Sequence, residues 1–152
     1  MIDHSVVTAS KENWFVAVKI LLRQGNNLLV LRDTFGDGDI PGGRLRKDDF
    51  TTPLLEVLKR KVAEEIGSKI SYKITNENPV CTFRHERLEV GSGEVRRIFA
   101  LGFEAVYEGG TIETGEYIES YTWIDLRTAK LADYLEGGWL KGVEEYVQKL
   151  SL

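Results

Sequence analysis

Two adjacent glutamates, Glu64 and Glu65, close a stretch whose apolar residues recur at helical spacing. Leu54, Leu55, Leu58, Val62 and Ile66 share one arc of roughly 120° when each residue turns the helix by roughly 100°. Glu65 projects inside that arc, Glu64 lies on its shoulder, and position 61 projects between them. A carboxylate on a core-facing side is costly unless it is paired, protonated or bound to a cation. The last helical turn adds a second cost, because the helix dipole disfavours negative charge there. A hard divalent cation, which prefers oxygen ligands, relieves both. The alternative is that the two acids border the helix and form surface ion pairs with Arg60 and Lys61, one turn earlier.

The elements that must position these groups are legible from pattern. Residues 1–12 are polar and read as an arm or a short edge strand. The run WFVAVKILL (residues 14–22) is rich in β-branched and aromatic residues, the 24–27 segment QGNN is a turn signal, and LLVLR (28–32) returns as a second strand. Five glycine and proline positions between 34 and 43 predict a loop. The helix then runs from Thr52 as N-cap and Pro53 as first residue to Gly67 just past its end. Strands are predicted over 70–74, 80–89, 94–107 and 117–125, with turns at 91–93 and 109–110. Asp125 can cap a short helix over 127–135. Gly137 and Gly138 break it, and a last helix covers 139–150 with Trp139, Val143, Tyr146, Val147 and Leu150 on one face. This order, strand-rich with three helices, predicts an α/β protein of the α+β kind, a mixed β-sheet covered by helices.

Composition narrows the setting. A length of 152 residues, with 42% hydrophobic and 29% charged content, suits one folded domain. A net charge of −4 argues against strong nucleic-acid binding while leaving room for a small anionic ligand. Cys81 is the one cysteine, so no internal disulfide forms and a reducing compartment is the simpler expectation. The first residues show neither basic nor apolar signal character, and no apolar run approaches the roughly 20 residues a membrane span needs. A cytoplasmic protein is therefore expected.

The stretch PGGRLRKDDFTTPLLEVLKRKVAEEIG (residues 41–67) resembles the Nudix hydrolase signature, G-x5-E-x7-R-E-U-x-E-E-x-G-U with U bulky and aliphatic. Pro41, Gly42 and Gly43 match its start, and Arg60, Val62, Glu64, Glu65 and Gly67 match its end. A preceding hairpin and the segment EYIESYTW (116–123) resemble the family's flanks. The signature departs in several places. The gap from Gly43 to Arg60 is three residues longer, Asp49 stands where the first glutamate belongs, and Ser68 replaces the last aliphatic residue. Gly38 occupies a place often aromatic. Above all, Lys61 stands at the glutamate of R-E.

The resemblance implies the Nudix fold, a mixed sheet sandwiched between helices, and hydrolysis of a diphosphate linkage by water with Mg2+ or Mn2+. Carried over by position, Glu64 and Glu65 are metal ligands, with the Gly43 carbonyl a third. Arg60 is the internal partner that holds carboxylates, against Asp49 or Glu65. Position 61 normally supplies a further ligand or the base. Lysine there either sits between the glutamates as a tethered stand-in for the metal or swings its charge towards solvent or a phosphate. Glu56, Glu116 or Glu119 are candidates for a replacement base, and Gly42, Gly43, Arg44 and Arg84 for substrate binding.

Other residues carry weaker signals. His85 reads as a strand-end histidine, and His4 receives no role. Arg32, Arg96 and Arg97 are candidate phosphate contacts, although Arg96 and Arg97 cannot both face one site. Trp14, Phe35 and Phe83 could stack on a base, Trp123 and Trp139 look like core, and Cys81 reads as a small buried hydrophobe. The leading expectation is a metal-dependent hydrolase acting on a nucleotide-like small molecule. The alternative is an impaired relative that binds a ligand or regulates a partner. Homodimers are frequent in the family, so a homodimer is an open possibility.

Overall fold

The computed structural model describes residues 11–152. The arm expected over residues 1–12 lies almost wholly outside them, as does His4. Eight strands form one sheet: β1 (Phe15–Gln24), β2 (Asn27–Asp33), β3 (Gly38–Asp39), β4 (Gly42–Arg44), β5 (Ile70–Ile74), β6 (Cys81–Leu88), β7 (Val95–Gly110) and β8 (Ile118–Asp125). The two α-helices are α1 (Leu54–Ile66) and α2 (Gly137–Gln148). The central pair, β1 with β7, is parallel, from Phe15 opposite Ile98 to Arg23 opposite Val106, and the remaining pairings are antiparallel. A mixed sheet between helices, as the resemblance implies, is what forms.

Strand alternation divides the core between the two faces. Val18, Ile20 and Leu22 of β1 join Leu29, Leu31 and Phe103 under Val57, Leu58, Val62 and Ile66 of α1. Ala17 and Leu21 face the other way, with Phe83 and Ala100, under Trp139, Val143 and Tyr146 of α2. Burying each large side chain of α1 contributes about 1.5–3 kcal/mol, so packing rather than capping holds this helix. No side chain caps its N-terminus, where Pro53 is the N-cap residue in place of the expected Thr52. Proline has no N–H to satisfy and its ψ of 138° starts the turn from extended backbone.

Five further expectations are corrected. The 34–43 loop contains β3 and β4, whose two or three residues are too short to show alternation but pair Leu31 with Asp39 and Val18 with Gly43. Gly109 and Gly110 end β7 instead of turning, opposite Ser71 and Ile70 beside a bulge. The helix over 127–135 is replaced by a turn at Asp125 and a 3-10 turn at Leu131–Asp133, because Lys130 is extended and interrupts it. Gly137 and Gly138 open α2 rather than precede it. On α1 the buried arc gains Val57, while Leu54 is exposed and Leu55 packs only in part against the core. No helix among the described residues is long and apolar enough to cross a membrane.

Candidate active site

The site is built on the unit formed by β4, a 3-10 turn at Lys47–Asp49, and α1. Gly42 has φ 138°, and a Cβ there would stand 2.1 Å from the Val18 carbonyl oxygen, so only glycine fits against β1. That close approach aims the Gly42 amide at Glu65, whose Oε1 accepts from it at 2.7 Å. At the far end of the helix, Gly67 (φ 90°) ends α1, its amide donating to the Ala63 carbonyl. The loop after β7 covers two further carbonyls: the Glu113 amide donates to Ile66 O at 3.0 Å and the Gly115 amide to Glu65 O at 2.9 Å. Three of the four orphan carbonyls of the helix end, those of Ala63, Glu65 and Ile66, are thereby satisfied.

Arg60 grips Asp49 with two parallel hydrogen bonds of 2.8 and 2.6 Å, and the Arg46 amide donates to the same carboxylate at 2.7 Å. Asp49 is buried. The Arg60 guanidinium and then the Arg46 amide pull its pKa down to about 2. This clamp ties the 3-10 turn to α1. Glu64 is exposed and ringed by cations, with Arg46 at 2.6 Å, Lys61 at 3.7 Å and Arg60 at 3.9 Å. Exposed pairs of this kind contribute about 0–1 kcal/mol. Lys61 lies over Gly43, its Cδ 3.0 Å from where a Cβ on that glycine would stand, and its ammonium leans to Glu64.

Glu65 is different. Among the described residues it makes no ion pair, and its surroundings push its pKa up to about 7. Desolvation is the main cause; Lys19 opposes it and Asp39 reinforces it. Glu65 borders a cavity of about 110 Å³ shared with Lys19, Asp39, Gly42, Gly43 and Arg44, and with Arg87 and Trp139. Lys19, Asp39 and Arg87 were not singled out by sequence. The overlooked signal was a lysine inside an apolar strand, on the face of Ala17 and Leu21. Arg87 likewise shares the β6 face of buried Phe83.

Other candidates lie elsewhere. Arg84 is exposed on the neighbouring groove beside Trp14 and Lys141, away from Glu65, because β6 alternation turns it opposite to Arg87. Arg44 lines the cavity but is paired with Glu89 at 2.7 Å and lies over the Phe15 ring. Glu116 and Glu119 are exposed and make no side-chain hydrogen bond among the described residues. His85, expected at a strand end, is half-buried: it stacks on Trp139 at 4.5 Å and its Nδ1 accepts the Gly138 amide at the start of α2. Burial holds its pKa below the usual value. Phe83, Trp139 and Cys81 are core, while Trp14 and Phe35 are exposed.

The donor set can be tested against the ion that the resemblance implies. Among the described residues no group of three or more His, Cys, Asp or Glu side chains stands close enough to hold one. Glu65 is a desolvated carboxylate with no ion pair among the described residues, and Glu64 is held only by exposed pairs, so each offers oxygens of the kind a hard divalent cation takes. The Lys61 ammonium, 3.7 Å from Glu64, stands where a further carboxylate would be needed for a cluster of ions.

No protein-family model matches the sequence, and no curated protein does. Solved structures do match. A MutT protein from Methanosarcina mazei Go1 superposes with a TM-score of 0.72 at 20% identity, over 93% of this chain and 99% of that one. The Escherichia coli dihydroneopterin triphosphate pyrophosphohydrolase gives 0.63 at 14%, over 91% and 100%. A NUDIX-family hydrolase from Clostridium perfringens gives 0.64 at 13%, over 90% and 98%. The chain has the Nudix fold.

Proposed function

We propose that this chain, acting as one domain, hydrolyses a small nucleotide-like molecule at a diphosphate linkage. The observation that carries the reading is Glu65, a desolvated carboxylate fixed by the Gly42 amide at the edge of a cavity. Burial leaves its charge poorly satisfied, with the pKa raised to about 7, and a bound cation would relieve that cost. Water adds to one phosphorus, the bridging P–O bond breaks, and two phosphate products leave. Glu64, Glu65 and the Gly43 carbonyl are the groups to hold one Mg2+ or Mn2+. When bound, that ion neutralises phosphate charge and acidifies water. Arg44, Arg46 and Lys61 bring further positive charge to the anionic substrate. The Arg60–Asp49 clamp fixes α1 against β4, so that the acids and the glycine backbone stay in register. Glu116 is a reserve base, since its loop is bonded to α1 through Gly115. A cytoplasmic setting fits the single cysteine, buried and with its pKa pushed up to about 12.

A second reading, ligand binding without turnover, is favoured by one observation: the Lys61 ammonium, 3.7 Å from Glu64, competes for the space of a cation. Phosphate release from nucleoside triphosphates, nucleotide sugars, dinucleoside polyphosphates and ADP-ribose, with Mg2+ and with Mn2+, separates the two. Turnover that needs the metal and disappears in Glu65→Gln supports the hydrolase. Silence in the natural protein with activity in Lys61→Glu favours the binding reading.

A further inference from the structure

Lys19 is a charge where the fold asks for none. It lies in the middle of β1 between Ala17 and Leu21, which pack under α2, and only 4% of it is exposed. Burying an ammonium costs several kcal/mol, and an apolar residue of like volume often serves stability as well or better. A buried ion pair is therefore weak evidence of a stabilising role. The contacts of Lys19 indicate another. Its ammonium donates to Asp39 Oδ1 at 2.9 Å and to the Ile40 carbonyl at 3.0 Å. The same Asp39 oxygen accepts the Ile40 amide at 2.7 Å. The Trp139 ring closes the other side, its centroid 4.7 Å from the ammonium. Both ends of residue 40 are thus held immediately before Pro41 and Gly42. Lys19 is also the β1 residue opposite Gly42, and a Cβ on Gly42 would stand 2.8 Å from the Lys19 Cα.

We infer that Lys19 is a positioning residue: its buried ammonium fixes the Asp39–Gly42 backbone so that the Gly42 amide meets Glu65. Backbone pairing holds that segment on both sides, Asp39 against Leu31 of β2 and the Pro41 carbonyl against the Ile20 amide at 2.8 Å, and the Lys19–Asp39 pair holds residue 40 between them. With the ammonium gone the backbone pairings remain, and residue 40 between them gains freedom that passes on to Gly42. The Gly42 amide then meets Glu65 only part of the time. The catalytic consequence rests on the hydrolase reading above; the positional one does not.

The test uses the full chain with Lys19→Met combined with Asp39→Asn, which removes the buried charges while leaving an acceptor for the Ile40 amide. Lys19→Arg serves as the conservative variant. Amide hydrogen exchange is read by NMR at Gly42 and at Leu21 and Leu22 in the centre of β1. The expected result is Gly42 exchange accelerated at least about tenfold in the double variant, with Leu21 and Leu22 unchanged and partial recovery in Lys19→Arg. Unchanged exchange at Gly42 overturns the inference. So does equal acceleration at all three amides, which would mean a role in global stability. Turnover is followed on whichever substrate of the panel the natural protein cleaves. A kcat lowered at least about tenfold with KM within twofold is expected from lost orientation. An unchanged kcat overturns the inference. If the natural protein cleaves nothing, the hydrolase reading fails, and the exchange result still decides the role of Lys19.

Discussion

Asp49 and Glu65 are acids of one loop–helix unit, both touching backbone amides of the glycine-rich segment or its continuation, and they are held in opposite ways. Asp49 takes two bonds from Arg60 and one from the Arg46 amide, and its pKa falls to about 2. Glu65 takes one bond from the Gly42 amide, has no ion-pair partner among the described residues, and its pKa rises to about 7. The first arrangement leaves the carboxylate nothing further to do. It is a joint, and its proton affinity is spent on the fold. The second leaves a carboxylate whose charged form is poorly satisfied, and such a group remains available to a proton, a cation or a substrate. Arg60 shows the same economy: its terminal nitrogens serve Asp49 while its buried Nε has no hydrogen-bond partner, facing Glu64 at 3.9 Å.

The contrast can be broken most sharply at Glu65. Glu65→Gln is expected to lower turnover at least about 10²-fold, because an amide replaces a charged ligand of an ion worth several kcal/mol of transition-state stabilisation, with no loss of melting temperature. A fall in stability with turnover retained would reverse the roles assigned to the two acids. Lys61→Glu comes next. It replaces the cation beside Glu64 with a third carboxylate, and Mn2+ affinity measured by calorimetry or EPR should rise at least about tenfold, the equivalent of roughly 1.4 kcal/mol. Unaltered Mn2+ affinity would show that Lys61 already lies clear of the acids.

The pH dependence of stability sharpens the comparison further, because the two acids act with opposite sign. Glu65 has a folded pKa above its ordinary 4.5, so the folded protein holds the extra proton. Stability therefore falls as pH rises from about 4.5 to about 7, relative to Glu65→Gln, by an amount on the order of 3 kcal/mol. Asp49 has a depressed pKa, so its contribution is present above its ordinary 3.8 and is lost as pH falls towards about 2. Urea titrations of the natural protein, Glu65→Gln and Asp49→Asn between about pH 2 and about pH 8 should show these two slopes in separate windows. Coincident slopes would mean that the two environments are not distinct. The smallest effect is expected outside both environments: Lys69→Ala removes a pair between exposed side chains, and its midpoint should lie within error of the natural protein.

Much of this was legible in the sequence, and the limits have physical causes. The α1 boundary at Gly67 and the pairing of β1 with β2 follow from local pattern, and Glu65 betrayed itself as an acid on an apolar arc. The strands β3 and β4 did not, because pairing made by two or three residues is decided by partners far along the chain. The His85 cap on α2 is also invisible to local reading, since the acceptor lies on β6 and the donor follows residue 136. The cavity wall was the largest omission. Lys19, Asp39 and Arg87 come from three separate strands, and only the assembled sheet brings them to Glu65.

The parallel ladder between β1 and β7 also sets the order in which the molecule can be completed. Phe15 must find Ile98 and Arg23 must find Val106, so the centre of the sheet closes a loop that spans most of the chain. Contacts of such long sequence separation form late, since the closure entropy precedes the gain from pairing. The glycine segment, the Arg60–Asp49 joint and α1 are local and can precede it. Ile98, Arg87 and Trp139 cannot. A growing polypeptide that has passed Glu65 but not yet Ile98 therefore displays that acid without the cavity wall that Ile98, Arg87 and Trp139 supply.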